Sequence, residues 1–181
     1  MSTGYQILDQ EALYYCTFQI VKWVDLFTRK VYRDIVIESF QYCQNMKGLE
    51  LYAYVIMSNH IHLIIRAKPN FKLSDIIRDF KKYTAYRFLV EINTTNESRK
   101  DWMLKRFEFA AAEHTRNSNY QIWTHENHAI LLYTTKFITQ KLNYIHQNPV
   151  IAGLVDSEEN YLYSSARNYA SLTALIKVDL L

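Results

Sequence analysis

Apolar and polar positions along the chain fall into blocks of two different periods. Leu13 to Val21, rich in Tyr, Phe, Thr, Ile and Val, predicts a first strand. From Val31 to Met46, Ile35, Ile37, Phe40, Tyr42 and Cys43 mix with Arg33, Asp34, Glu38 and Gln44 in a helical pattern, and Gly48 is placed to stop it. Glu50 to Met57 and His60 to Arg66 predict two more strands. The Ser58-Asn59 break between them is short enough to make an antiparallel hairpin. Ser74 can cap a helix reaching about Ile92, with Ile76, Ile77, Phe80, Thr84 and Phe88 on one face. A polar loop from Asn93 to Ser98 follows, then a weaker helix from Arg99 to Glu113, a loop from Thr115 to Asn119 and a short strand from Tyr120 to Trp123. Thr134 or Thr135 caps a last helix, which Pro149 and Gly153 are expected to terminate. The tail from Asp156 carries little signal.

The order strand, helix, strand, strand, helix predicts an α+β fold of the ferredoxin-like (RRM-like) kind: an antiparallel sheet with helices on one face. Period two along the third strand sends Ile61, Leu63 and Ile65 to one face, where helices pack. His60, His62, Ile64 and Arg66 go to the other. A sheet that puts two histidines and an arginine on one face leaves that face available for chemistry.

The 181 residues make one domain at the usual ~150 residues per domain. With 49% apolar and 22% charged residues, intrinsic disorder is excluded. Only 3 Gly and 2 Pro exclude collagen-like and linker-rich folds. The net charge of +3 permits a nucleic-acid partner without arguing for one. The positive charge is concentrated between Arg78 and Arg106, where Tyr83 and Tyr86 are interleaved with it. Lys81, Lys82 and Arg87 are the DNA contacts expected there, a solvated helix face being the bland alternative. Cys16 and Cys43 form no CxxC and read as buried small hydrophobes in a reducing compartment. Met1 to Gln10 lack a signal-peptide pattern, and no apolar run approaches the ~18 residues of a membrane span. A cytoplasmic location, away from membranes, is expected.

Two constellations can carry chemistry. His60 and His62, at i and i+2 on a strand, project side by side and could grip one divalent ion, although an isolated His-x-His is more often just two exposed histidines. On the last helix, Ile138, Leu142 and Ile145 form an apolar stripe, Tyr144 and Asn148 share one flank, and His146 falls on the other. A phenol and a neutral oxygen ligand would then arrive together, or Asn148 would merely cap the helix end. His114, His125 and His128 show no clean ligand spacing and read as structural.

Together these pieces resemble a known family. Met57-Ser-Asn-His-Ile-His-Leu-Ile-Ile65 resembles the HUH motif of single-tyrosine transposases, and Tyr144-Ile-His-Gln-Asn-Pro-Val150, followed by Ala152-Gly-Leu-Val155, resembles the tyrosine motif of their REP-associated branch. Phe80-Lys-Lys-Tyr-Thr84, Ile122-Trp-Thr-His-Glu-Asn-His128 and Ser164-Ser-Ala-Arg-Asn-Tyr169 match in order, so that the resemblance spans about residues 12 to 170. It implies a ferredoxin-like enzyme that cuts single-stranded DNA, with Tyr144 as nucleophile, its helix near the open sheet face, and a 5′-phosphotyrosine intermediate. It also implies His60, His62 and Asn148 as ligands of Mg²⁺ or Mn²⁺, and single-stranded or hairpin DNA as partner, with a homodimer compatible. The long insert between Ile92 and Tyr120 departs from the simplest relatives. The rival reading is a catalytically silent module binding DNA or RNA hairpins on the same fold.

Overall fold

The computed structural model describes residues 6–114 and 119–181. Four strands, β1 (Tyr14–Gln19), β2 (Leu49–Ile56), β3 (His60–Ala67) and β4 (Ile130–Leu131), form one antiparallel sheet in the order β2-β3-β1-β4. This is the ferredoxin-like order, in which α1 (Lys30–Met46) carries the chain across β3 to β2. α1 and α2 (Leu73–Thr94) cover one face, where Ile61, Leu63 and Ile65 meet them as the alternation requires. Phe40 of α1 stacks on Phe80 of α2 with ring centroids 4.7 Å apart, which locks the two helices together over Phe18. α1 stops where Gly48 adopts a φ of +71°; a Cβ there would lie 2.4 Å from the Phe71 ring, so only glycine fits.

The opposite face carries a smaller apolar cluster of Tyr15, Ala53, Val55, Ile64 and Leu132, closed by Ile145 of α4 (Thr135–Ile151). Thr134 caps α4 by accepting from the Phe137 N–H at 3.2 Å. Pro149 does not end α4 but lies buried inside its last turn, and the chain turns only at Gly153, φ +71°. Ser74 likewise is not a cap: it is the second residue of α2 and is held from outside, its N–H and hydroxyl both donating to Gln10 Oε1 at 3.0 Å.

The expected strand from Tyr120 to Trp123 is reduced to one bridge between Ile20 and Trp123. The fourth strand instead forms at Ile130–Leu131, because a bulged stretch intervenes along the β1 edge. The expected loop from Thr115 to Asn119 falls, except for Asn119, outside the described residues. The insert carries α3 (Lys100–Ala112), docked on the core through Met103, Phe107 and Ala110; just before it the buried carboxylate of Glu97 accepts from the Tyr32 hydroxyl at 3.0 Å and pairs with Arg29 at 3.2 Å. The tail covers the outer edge of β2 through a bridge between Val55 and Ser164, which blunts an otherwise open sheet edge. Cys16 and Cys43 are both buried and free. Among the described residues no helix is long and apolar enough to cross a membrane.

Candidate active site

β3 delivers His60 and His62 to the α4 face with ring centroids 4.6 Å apart. Each imidazole is held by its Nδ1. Nδ1 of His60 lies 2.7 Å from Asn59 Oδ1, an oxygen that can only accept, so the ring donates there and its Nε2 keeps the lone pair. Nδ1 of His62 lies 2.8 Å from the Tyr15 hydroxyl and 2.9 Å from Thr17 Oγ1. The antiparallel register explains this: Thr17 of β1 stands directly opposite His62, and Tyr15 lies two residues along on the same face. Burial pulls the His60 pKa below its ordinary value. Burial, reinforced by His60 and Lys141, takes His62 down to about 3. Both rings are therefore neutral at pH 7, the form that ligates metal.

α4 brings Tyr144 to this pair. Its ring centroid lies 5.2 Å from His62 and 6.3 Å from Tyr15, and the residue is 45% exposed, so a polymer can reach its hydroxyl. The apolar stripe that seats the helix is centred on Ile145 and Pro149 and includes His146, which is buried rather than flanking. Nε2 of His146 is 2.9 Å from Ser165 Oγ, which ties the tyrosine helix to the tail. Lys141, one turn before Tyr144, holds its ammonium 4.6 Å from the Tyr15 ring centroid and 5.8 Å from that of Tyr144. The site thus combines a lysine ammonium over the Tyr15 and Tyr144 rings with two neutral imidazoles and an exposed phenol.

Asn148 sits one turn beyond Tyr144, half-buried, and makes no side-chain hydrogen bond among the described residues. No group of three His, Cys, Asp or Glu that could hold a metal is assembled among those residues, so the two imidazoles need neutral oxygen donors. The two rings fit a divalent ion, since both are neutral and second partners hold their Nδ1 atoms.

The three basic residues expected to contact DNA lie on α2, across the sheet from the histidines. They face different surroundings. Lys81 donates to the Thr124 carbonyl at 3.0 Å and lies 4.9 Å from the Phe18 ring centroid, and burial lowers its pKa to about 8. Arg87 bonds the Tyr83 hydroxyl at 2.9 Å and pairs with Glu38 at 3.8 Å. Lys82 is exposed. Of the remaining histidines, His114 and His125 touch, with centroids 4.6 Å apart, and His128 lies 3.9 Å from Glu126.

Sequence reasoning missed Tyr15, Thr17, Asn59 and Lys141. The first two carry the period-two signal on β1, which becomes readable only once the register against β3 is known. Lys141 lies three residues before Tyr144 and so shares its side of the helix.

A family model described as "Transposase IS200 like" matches residues 12–147. No curated protein matches the chain in sequence. Among solved structures, a REP-associated tyrosine transposase bound to a REP hairpin superposes with a TM-score of 0.67 at 17% identity, over 100% of this chain and 94% of its own. A candidate transposase from Deinococcus radiodurans R1 gives a TM-score of 0.45 at 16% identity, over 80% of this chain and 95% of its own.

Proposed function

The chain belongs to the IS200-like transposase family, and we propose that it is a single-stranded DNA endonuclease and strand transferase that works through Tyr144. The observation that carries this reading is the Tyr144 ring held beside His62, half-exposed, on the open face of the sheet. The Tyr144 hydroxyl attacks the scissile phosphorus. A Tyr–O–P bond forms, the P–O3′ bond breaks, the phenolic proton passes to solvent, and the leaving 3′ oxygen takes up a proton. The product is a 5′-phosphotyrosine with a free 3′-OH. A phosphotyrosine diester conserves the energy of the broken bond, so a second 3′-OH can reverse the step without ATP. Accordingly no Gly-rich phosphate loop is needed.

His60 and His62 would hold a divalent ion, with the Asn148 amide as a neutral oxygen donor. When bound, Mg²⁺ or Mn²⁺ supplies a Lewis acid that stabilises charge on the scissile phosphate. Asn59, Tyr15 and Thr17 orient the two imidazoles. Lys141 places a positive charge beside the nucleophile, where it attracts the phosphodiester. Hairpin DNA is the partner that this reading favours, by analogy with the solved hairpin complex of the same fold.

The test is Tyr144→Phe, which keeps the ring and removes the nucleophile. With a labelled hairpin oligonucleotide and Mn²⁺, wild type gives a covalent protein–DNA species on a denaturing gel, and the variant gives none. Tyr83→Phe and Tyr86→Phe retain it. An adduct that persists in Tyr144→Phe moves the nucleophile elsewhere. Hairpin binding by wild type without any cleavage makes the protein a silent binding module.

A further inference from the structure

Immediately after β1 the chain makes a short 3-10 turn, Val21–Trp23, at the end of the sheet where β3 begins with His60. Two consecutive non-glycine residues of this turn, Lys22 and Trp23, adopt left-handed backbone, with φ of 53° and 56°. A bulky aromatic in that region is a genuine outlier, and such strain persists only where the surroundings enforce it.

The surroundings here are specific. The turn wraps the Ser58-Asn59 hairpin loop: Ile20 N–H donates to Asn59 O at 2.9 Å, and Phe27 N–H to Ser58 O at 2.9 Å. The Asn59 side-chain amide reaches the Trp23 carbonyl at 3.5 Å, while its oxygen accepts from His60. On the other side Lys22 is clamped by the insert, its ammonium 2.6 Å from Glu113 and 4.7 Å from the Phe109 ring centroid. All this restraint presents an indole that is itself 69% exposed. Among the described residues no ring or cation partners it, so the strained backbone holds out an aromatic face that is left largely open.

We propose that Trp23 is a stacking platform for a base of the single-stranded DNA that runs past His60, and that the insert's α3 serves to hold the platform in its strained pose. The proposal deepens the single-strand nuclease reading and rests on it for the identity of the strand. Every base has a π-face, so the platform supplies affinity and positions the backbone without reading sequence. One asparagine would then link both functions, since Asn59 fixes the His60 ring with one end of its amide and touches the Trp23 backbone with the other.

The experiment measures binding of fluorescein-labelled dT12, and of a 12-mer with the same backbone but abasic throughout, by anisotropy. Trp23→Ala should weaken dT12 binding roughly ten- to one-hundredfold, Trp23→Phe should stay within a few-fold, and the abasic strand should bind wild type and Trp23→Ala equally weakly. Trp23→Gly supplies the control for folding. Because glycine accepts this backbone, its melting temperature should match or exceed that of wild type while dT12 binding falls as in Trp23→Ala. In cleavage assays the Ala variant should raise KM and leave kcat near wild type. Unchanged dT12 affinity in Trp23→Ala, or a Trp23→Gly variant that melts well below wild type, overturns the platform. If wild type forms no Tyr144 adduct and yet loses dT12 binding with Trp23→Ala, the nuclease reading fails and the platform stands. If the adduct forms and dT12 binding ignores Trp23, the platform alone fails.

Discussion

The Tyr15 hydroxyl lies 2.8 Å from Nδ1 of His62, and the Tyr15 ring stacks on that imidazole with centroids 5.6 Å apart and planes 22° from parallel. Burial pushes the Tyr15 pKa up to about 12, so this phenol remains protonated and serves as a fixed hydrogen-bond partner rather than a rival nucleophile. Removing an outer partner of a ligating histidine typically costs ~10–100-fold in metal affinity. Tyr15→Phe should therefore raise the Mn²⁺ concentration needed for half-maximal cleavage by about that factor, while activity at saturating Mn²⁺ stays near wild type. An unchanged Mn²⁺ titration would mean that Thr17 alone orients the ring, and Thr17→Val should then show the shift instead.

Removing either imidazole should be more severe. His60→Ala and His62→Ala are expected to abolish cleavage while hairpin affinity stays within a few-fold, because phosphate contacts dominate DNA affinity. Asn59→Ala should be intermediate: His60 keeps its place on β3 but loses the acceptor that fixes its Nδ1–H. Asn148→Ala should be mild and partly rescued by high Mn²⁺. Full cleavage in Mg²⁺ by either histidine variant would remove the pair from the chemistry.

The basic residues of α2 should separate in a salt titration. Each phosphate contact on a single strand contributes roughly 0.7 to the slope of log K against log salt. Lys82 is exposed and free to contribute that increment, so Lys82→Ala should flatten the slope by about one contact. Lys81 is committed to the Thr124 carbonyl and the Phe18 ring, and Lys81→Ala should leave the slope unchanged. Its lowered pKa has a stability consequence of definite sign. Between about pH 8 and the ordinary lysine value the unfolded chain binds the extra proton, so Lys81 adds a term that rises with pH, against the opposite term from buried Cys16 and Cys43, and stability should fall more steeply with pH in Lys81→Met than in wild type. A slope that falls equally for both variants would place Lys81 on the DNA track.

What could be read from the residues alone was whatever depends on period and neighbours. His60 and His62 project together because β-strands alternate, and Tyr144 meets them because Ile145 must be buried and fixes the helix rotation. The partners of His62 were hidden because they lie 45 and 47 residues away on β1, and local pattern cannot set a long-range register. Pro149 misled because sequence rules read a proline as a stop, whereas here it lies inside the last turn of α4 with its ring buried, and the helix runs on to Ile151. The charge run needs the structure for a different reason. Net charge counts residues, but Arg78 is paired with Asp75 and Asp79 at the surface, and Arg99 with Asp25 and Glu97, so part of the basic stretch is already matched within the chain.

The helix that carries Tyr144 should loosen in acid, and His146 is the reason. The residue is 4% exposed, its Nε2 lies 2.9 Å from Ser165 Oγ, and its ring sits on Tyr169 with centroids 5.0 Å apart. Burial lowers its pKa to about 4. An unfolded chain takes up this proton near the ordinary histidine value of ~6.5, and the folded chain only near 4. Between those values the unfolded state binds more protons, so stability falls as pH falls, by up to about 1.4 kcal/mol per pH unit from this group. The contribution is intact above pH ~6.5 and is lost progressively toward pH 4. Urea denaturation should show wild type losing about 2 kcal/mol more than His146→Gln between pH 7 and pH 5, the buried His60 and His62 contributing equally to both proteins, although the glutamine variant starts less stable at pH 7. Equal pH dependence in the two proteins would assign the acid sensitivity to other groups and leave the link between α4 and the tail without a titrating member.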